Sequence, residues 1–183
     1  MGSMPGTYDF ELRPGEPVDI ADSVAARVRA RYFRDVLGEF ATGVVVVTAS
    51  AGGQPVGMTC QTFSSVSLDP PLVCFLPAHT SRSWPLMREA GHFCVNVLAH
   101  DQTAVADIFA SKGADKFAGV AWRPAESGAP ILDGALAYVD CTLEAVHPAG
   151  DHDIVVGRVR ALSSLREADP LLYHRGGFTT TRP

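Results

Sequence analysis

Polar side chains that can hold a ligand lie along a predicted strand pair before the middle of the chain. Apolar and polar residues alternate weakly over residues 55–67, and prolines at 70 and 71 end this segment before an apolar run at 72–76. The pattern predicts two strands, one over residues 55–67 and one over residues 72–76, whose shared face is small and polar. That face carries hydroxyl and amide groups, which either bind a ligand or simply meet water. Its residues are Thr59, Gln61, Thr62 and Ser64.

A Ser-Arg-Ser sequence at residues 81–83 precedes a predicted short helix that runs to about Arg88. Backbone N–H groups at a helix start and the helix dipole favour an anion, and the Arg82 guanidinium can add a bidentate contact to a phosphate. The same sequence is also typical of plain helix capping by Ser81 or Ser83. The segment therefore predicts either a phosphate site or a capped helix start.

Two motifs with histidine come late in the chain. His152 ends a Gly-Asp-His turn between two predicted strands, and residues 173–176 read Tyr-His-Arg-Gly. Arg175 could pair with a pyrophosphate, and Tyr173 could cover an aromatic ring. A lone histidine in a turn is otherwise an exposed residue. These residues by themselves leave both a binding role and a surface role open.

Sequence motifs for several other chemistries are absent. The chain has no G-x-G-x-x-G dinucleotide fingerprint, no Walker loop and no G-x-S-x-G nucleophile elbow. Its four cysteines form no C-x-x-C and no cysteine–histidine pair at metal-ligand spacing, so we expect no metal site. A dinucleotide would have to be held without a Rossmann crevice.

Size and composition predict a single globular domain. The chain has 183 residues, of which 46% are hydrophobic and 19% charged, and its formal net charge is −5 with scattered basic residues. This charge disfavours nucleic acid and anionic lipid as partners, and no apolar run approaches the roughly 20 residues that span a bilayer. No signal peptide is visible, so we expect a cytoplasmic protein with reduced thiols at Cys60, Cys74, Cys94 and Cys141.

Hydrophobic periodicity predicts many strands and few helices. Phe33, Val36, Leu37 and Phe40 recur at helical spacing, which predicts an amphipathic helix that ends near Gly43. Consecutive strands joined by turns favour a closed antiparallel barrel with a few helices outside over a doubly wound parallel sheet. Buried or half-buried strands are predicted at 44–48, 92–98, 139–145 and 154–159, and a further helix is predicted from residue 101.

The N-terminal residues differ in composition from the remainder. Residues 1 to about 22 contain several prolines and glycines without periodicity, which predicts a mobile arm or a strap over a neighbouring subunit. The first three residues resemble an expression tag. We therefore expect an arm at 1–30 and a single domain at 31–183.

Taken in order, these motifs resemble one known family. The stretch 55–84, the strand 93–98, the pair Lys116-Phe117, the Gly-Asp-His turn and residues 172–176 are similar to the short-chain flavin reductases, the reductase halves of two-component flavin-dependent monooxygenases. The resemblance runs from about Phe33 to Phe178. It implies a mainly β, antiparallel FMN-binding split barrel with flanking helices, and a homodimer with the flavin near the subunit interface.

The resemblance also implies site residues. The segment from Pro55 to Thr62 would line the flavin ring and ribityl chain, and Gly57 lacks a Cβ, so an aromatic ring could approach its backbone. His152 would face the nicotinamide and act as the catalytic, ring-positioning residue. The cofactor-binding residues implied in this way are Pro55, Val56, Gly57, Met58, Thr59, Gln61, Thr62, Leu76, Pro77, Ala78, Arg82, Ser83, Phe109, Ala110, Lys112, His152, Tyr173, Arg175 and Gly176.

The implied function is NAD(P)H-dependent reduction of FAD or FMN, with release of the reduced flavin to a separate oxygenase. Hydride transfer between two cofactors needs no protein nucleophile, which agrees with the absence of a triad motif. Two alternatives stay open: a split-barrel protein that keeps its flavin and acts directly on an organic substrate, and a non-catalytic flavin- or haem-binding module. The residues leave open FAD or FMN, and NADH or NADPH.

Overall fold

The computed structural model describes residues 24–113 and 115–181. The chain divides into two compact units, Met1–Phe40 and Ala41–Pro183. In the first unit an α-helix, α1, spans Val24–Leu37. The predicted N-terminal arm lies outside the described residues as far as position 23.

Helix α1 is shorter than predicted. The N–H of Gly38 still bonds to the carbonyl of Arg34, but the chain then tightens into i→i−3 bonds over residues 39–40. Phe40, which was expected to continue the apolar face, therefore lies beyond the helix. Residues Thr42–Gly43, where the helix was expected to end, form a short strand, β1.

The second unit is built mainly of strands. In chain order its further elements are β2 (Val45–Ala51), β3 (Gln54–Cys60), β4 (Ser64–Leu68), β5 (Pro71–Phe75), α2 (Trp84–Ala90), β6 (His92–Val97), a 3₁₀ turn (His100–Gln102), α3 (Thr103–Ala110), β7 (Trp122–Pro124), β8 (Pro130–Leu132), β9 (Ala137–Ala149), β10 (His152–Ser164), β11 (Leu172–His174) and β12 (Gly177–Thr179). The strand predicted near residue 44 is β2, the one predicted near 92 is β6, and the one predicted at 139–145 is part of the longer strand β9.

Seven strands form the main sheet in the order β3-β2-β6-β9-β10-β5-β4, and every pair is antiparallel. Two smaller sheets, β1-β11-β12 and β7-β8, accompany it. The predicted class, mainly antiparallel β with a few flanking helices, is confirmed.

The prediction that residues 55–67 form one strand is wrong. The segment breaks at residues 61–63 into β3, which pairs with β2, and β4, which pairs with β5. At the break the Thr62 hydroxyl accepts the backbone N–H of Leu76 at 3.0 Å, a side-chain bond where a continuous strand would have a ladder bond. The alternation in the sequence is weak because residues 55–67 belong to two strands, which lie at opposite edges of the main sheet.

The connection between β3 and β4 requires the sheet to curl. These strands are the two edges of the sheet, and a flat sheet of seven strands would place them about 29 Å apart at about 4.8 Å per spacing. The four Cα steps from Cys60 to Ser64 reach at most about 14 Å. The two edges must therefore approach each other, as in a split barrel. Beside this approach, side-chain bonds join residues 54–63 to residues 76–84, the segment that follows β5, and we call this junction the seam.

Strand β2 is buried on both faces, which explains its unbroken valine run. Val45 and Val47 join a cluster that contains Trp84 of α2, whereas Val44 and Val46, which alternate with them, join a cluster that contains Phe109 of α3. The two helices therefore cover opposite faces of the same strand. A strand that is apolar on both faces belongs in the interior of a sheet, as predicted.

Gly157 of β10 permits the closest packing in the core. A Cβ at this position would lie 2.3 Å from Cζ of Phe93, a ring that is itself buried against Phe75. We expect Gly157→Ala to lower the free energy of unfolding by about 1–3 kcal/mol, because the buried ring has little room to move. Gly43→Ala is the control, since a Cβ at Gly43 meets nothing within 4 Å. Urea denaturation that shows equal stability for both variants would contradict this packing.

Candidate functional site

A cavity of about 580 Å³ opens at the seam. Strand β3 forms one wall, residues 78–83 between β5 and α2 form a second, and the end of α3 with the loop to residue 117 forms a third. The structure thus brings together three segments that are far apart in the chain. The site residues expected from the sequence that line this cavity are Pro55, Val56, Gly57, Met58, Thr59, Ala78, Arg82, Ser83, Phe109, Ala110 and Lys112.

The serines before α2 bond across the seam. The Ser83 hydroxyl donates to the Gly57 carbonyl at 2.8 Å, and the Ser81 hydroxyl lies 3.5 Å from the Met58 sulfur. The Ser81 oxygen also accepts the backbone N–H of Trp84, so Ser81 rather than Ser83 supplies the cap. Because that N–H is taken and the next residue is a proline, the start of α2 offers an anion few donors. Charged side chains remain as the groups that could hold a phosphate.

The described part of the cavity wall carries more positive than negative charge. Arg82, Lys112 and Lys116 line it, against the single carboxylate of Asp115. That carboxylate accepts the backbone N–H groups of residues 117 and 118, which turns it toward its own loop. A local cationic excess in a chain of net charge −5 favours an anionic ligand such as a phosphate ester.

Lys116 is a cavity residue that the sequence-based site list missed. Its ammonium donates to the carbonyl of Phe109 at 2.8 Å and to the carbonyl of Gly57 at 3.2 Å. Partial burial lowers its pKa, because removal from water disfavours the charged form. The pair Lys116-Phe117 had already contributed to the family resemblance, and that was the signal that could have placed it in the site.

The bare face of Gly57 is occupied by the protein itself. A Cβ on Gly57 would lie 2.5 Å from Cε1 of Phe109 and 3.4 Å from Cζ of Phe117, and these two rings meet edge to face at 4.9 Å. The expectation that a ligand ring approaches the backbone on this face is therefore corrected. Gly57 instead lets α3 pack closely on β3, and its carbonyl anchors Ser83 and Lys116.

The polar residues of the predicted strand face serve partly structural roles. The Thr59 hydroxyl donates to the Ala106 carbonyl of α3 at 2.6 Å, and the Thr62 hydroxyl bonds to both backbone groups of Leu76. Both threonines thus tie elements of the cavity wall together. The expected residues Gln61, Thr62, Leu76 and Pro77 lie along the seam and are not among the described residues that line the cavity.

His152 lies at the edge of the cavity. It begins β10, and its backbone forms an isolated antiparallel bridge with Ala78, which lines the cavity. Its imidazole Nδ1 is 2.6 Å from a carboxylate oxygen of Asp151, and its side chain is 40% exposed. This hydrogen bond lowers the pKa of the Asp151 carboxyl. An imidazole that is oriented on one nitrogen and exposed can contact a ligand at the cavity mouth.

The other predicted nicotinamide motif forms a hairpin outside the described cavity lining. Arg175, at φ 48°, and Gly176, at φ 81°, are the two turn residues between β11 and β12, and this left-handed pair is the backbone of a tight hairpin turn. The Tyr173 ring meets the Phe178 ring at 5.5 Å and packs on the cluster that contains Phe109. Tyr173 therefore supports the core behind the cavity wall.

Comparison with known proteins defines the class. Residues 37–182 match the family described as the flavin reductase like domain. The reductase subunit HsaB of a flavin-dependent monooxygenase from Rhodococcus jostii (strain RHA1) is 50% identical over 87% of this chain and 82% of its own. The chain belongs to the flavin reductase-like family. It is an oxidoreductase of that family, as its motifs predicted.

Solved structures share the fold. Component B of nitrilotriacetate monooxygenase from Mycobacterium thermoresistibile superposes with a TM-score of 0.84 at 48% identity, over 86% of this chain and 89% of that one. The NADH:FAD oxidoreductase SgcE6 of Streptomyces globisporus C-1027, solved with NAD and FAD fragments, gives a TM-score of 0.80 at 35% identity, over 89% of this chain and 98% of its own.

The residues present at the seam fit a flavin phosphate. The cavity volume lies in the usual range for a small-molecule site, cationic side chains line it, and apolar groups such as Val56 and Phe117 lie beside them.

Within the described ranges, no cluster of three or more histidine, cysteine or carboxylate side chains could hold a metal ion. No described helix is long and apolar enough to cross a membrane.

Arg82 provides a direct test of the phosphate end of the cavity. We expect Arg82→Ala to weaken FMN binding by about 1 kcal/mol, or roughly fivefold in Kd, and to leave riboflavin binding unchanged, because only FMN carries the phosphate that a guanidinium would hold. Fluorescence titration of both ligands measures this. The matched control is Arg160→Ala, which removes an exposed arginine of β10. Equal losses for FMN and riboflavin would show that Arg82 is structural.

Proposed function

We propose that the cavity at the seam binds FAD or FMN, and that the protein reduces this flavin with NADH or NADPH and releases it to a separate flavin-dependent monooxygenase. The observation that carries the proposal is the position of one exposed, oriented imidazole beside a cationic cavity. His152 is joined through Ala78 to the wall that contains Arg82. A flavin could therefore be anchored by its phosphate at Arg82, and a nicotinamide could meet it beside His152.

Each group at the cavity has a proposed task. A bound flavin supplies the hydride acceptor, so the protein contributes binding and alignment. Arg82 and Lys112 hold the phosphate end, and the carbonyl-bound ammonium of Lys116 keeps positive charge at the wall of β3. His152, held by Asp151, aligns the nicotinamide ring for transfer.

The exposure of the cationic side chains favours a flavin that binds and dissociates over one that stays permanently bound. Arg82 and Lys112 are both exposed, so the phosphate end of a ligand would stay in contact with water. Exposed ionic contacts contribute little affinity, whereas a permanently held cofactor needs buried ones. This supports reduction and release over a tightly held flavin that acts on an organic substrate.

The names of the relatives suggest the first reactants to test. The Rhodococcus jostii relative is a reductase subunit of a flavin-dependent monooxygenase, and the Streptomyces globisporus relative is an NADH:FAD oxidoreductase. By analogy, NADH with FAD is our first choice of substrates for this chain, and a separate oxygenase is the proposed partner. The proposed location is the cytoplasm, in keeping with the reduced thiols of the described structure.

A test of catalysis centres on His152. We expect the wild-type protein to oxidise NADH only when FAD or FMN is added, and His152→Ala to raise the KM for NADH and slow flavin reduction by on the order of 100-fold, since misalignment by about 1 Å has an effect of that size. Flavin affinity should stay nearly unchanged. The measurements are stopped-flow reduction and flavin titration, with the exposed His147→Ala as control. An unchanged NADH dependence in His152→Ala would remove His152 from the site.

We also propose a homodimer. On α1 the side chains of Phe33, Val36 and Leu37 are 50–55% exposed, and apolar side chains that recur on one helix face gain free energy when another surface covers them. Light scattering should give the mass of two chains, and Val36→Lys should shift it toward one. A monomeric wild-type protein with full activity would refute the proposal.

A further inference from the structure

A buried carboxylate lies between the two segments that carry the cavity wall and His152. Asp153, the second residue of β10, is only 6% exposed. One of its oxygens accepts the indole N–H of Trp84 at 2.8 Å, and the other lies 3.1 Å from Nε2 of His79. Burial of a carboxylate is unfavourable unless its oxygens are hydrogen-bonded, and here both have partners.

The backbone around Asp153 makes the same connection. The N–H of Asp153 donates to the carbonyl of Pro77 at 3.1 Å, and the N–H of His79 donates to the carbonyl of Asp151 at 2.9 Å. These bonds pair residues 77–79 with the start of β10. The segment that leaves β5 is therefore attached to the turn that carries His152.

The two side-chain partners of Asp153 bracket the cavity wall. His79 stands near the beginning of segment 77–84 and Trp84 at its end, and the wall residues Ser81, Arg82 and Ser83 lie between them. Trp84 is 4% exposed and its ring meets Phe75 edge-on at 5.9 Å, so that end is fixed in the core. The Asp153 carboxylate thus bonds near both ends of segment 77–84, a segment without helix or strand between His79 and Trp84.

We infer that Asp153 is a positioning residue: through His79 and Trp84 it holds segment 77–84, and with it Arg82, in a fixed position relative to His152. The flavin contacts on the loop and the nicotinamide contact on β10 then keep a constant separation. This inference rests on the proposed function of the cavity. It differs from that proposal because Asp153 is buried behind the wall and touches neither ligand.

The binding test compares Asp153→Ala with Asp153→Asn. Alanine removes both bonds, so we expect the Kd for FMN and the KM for NADH to rise together by about tenfold. Asparagine keeps an oxygen that accepts the Trp84 indole N–H, and its amide N–H donates to Nε2 of His79 when the imidazole proton lies on Nδ1. We therefore expect Asp153→Asn to restore both constants to within about threefold of the wild-type values.

Asp140 offers a matched control. It is 1% exposed, and its carboxylate accepts the backbone N–H of Ser127 at 3.1 Å and the hydroxyl of the same residue at 2.6 Å. It is thus equally buried and equally bonded, but it does not line the cavity or contact segment 77–84. Asp140→Ala should lower the melting temperature while leaving both constants unchanged.

A second measurement needs no ligand. In the flavin-free protein, Asp153→Ala should accelerate amide hydrogen exchange over residues 77–84 and shift the ¹⁵N–¹H resonance of the Trp84 indole, whereas Asp140→Ala should do neither. If Asp153→Ala does not fold, Trp84→Phe removes one donor while keeping a ring against Phe75, and the same measurements apply to it.

The outcomes separate this inference from the proposed function. A folded Asp153→Ala with wild-type Kd, KM and exchange over 77–84 would overturn the inference, as would equal losses in Asp140→Ala. Wild-type protein that binds no flavin and oxidises no NADH would overturn the proposed function instead. In that case accelerated exchange in Asp153→Ala alone would still show that Asp153 orders the loop.

Discussion

The three-residue connection between β3 and β4 is the constraint on which the remaining structure depends. It joins the two edges of a seven-stranded sheet, so the sheet must curl until the edges approach each other. No ladder pairs β3 with β4. Side chains instead join β3 and its connection to the segment that follows β5: Thr62 bonds to Leu76, and Ser83 bonds to Gly57. The cavity lies along this seam.

Short polar residues at the seam join elements that no strand ladder connects. Hydroxyl groups at Thr59, Ser81 and Ser83 satisfy backbone or side-chain atoms of neighbouring elements, and they thereby fix the shape of the cavity wall. The groups left to meet a ligand are longer and charged, notably Arg82 and Lys112. With this division, the proposed phosphate site needs no glycine-rich loop.

The fold also brings the two proposed ligand sites together through one strand end. β10 begins beside the segment that leaves β5, so His152 is bridged through its backbone to the cavity residue Ala78, while Asp153 bonds to Trp84 in the core. Adjacent residues of a strand face opposite sides. The same two positions can therefore place one side chain at the ligands and the other in the support behind the wall.

The sequence by itself determined the family, the antiparallel β class and much of the cavity wall. These depend on local features: strand periodicity, the valine run, and motifs in a recognisable order. Tertiary structure decided the break of residues 55–67 into two strands, the occupation of the bare face of Gly57 by Phe109, and the inclusion of Lys116 in the cavity. Each of these depends on contacts between residues distant in the chain. A local sequence pattern does not specify which distant residues will contact it, because those contacts form only when the sheet curls and brings the segments together.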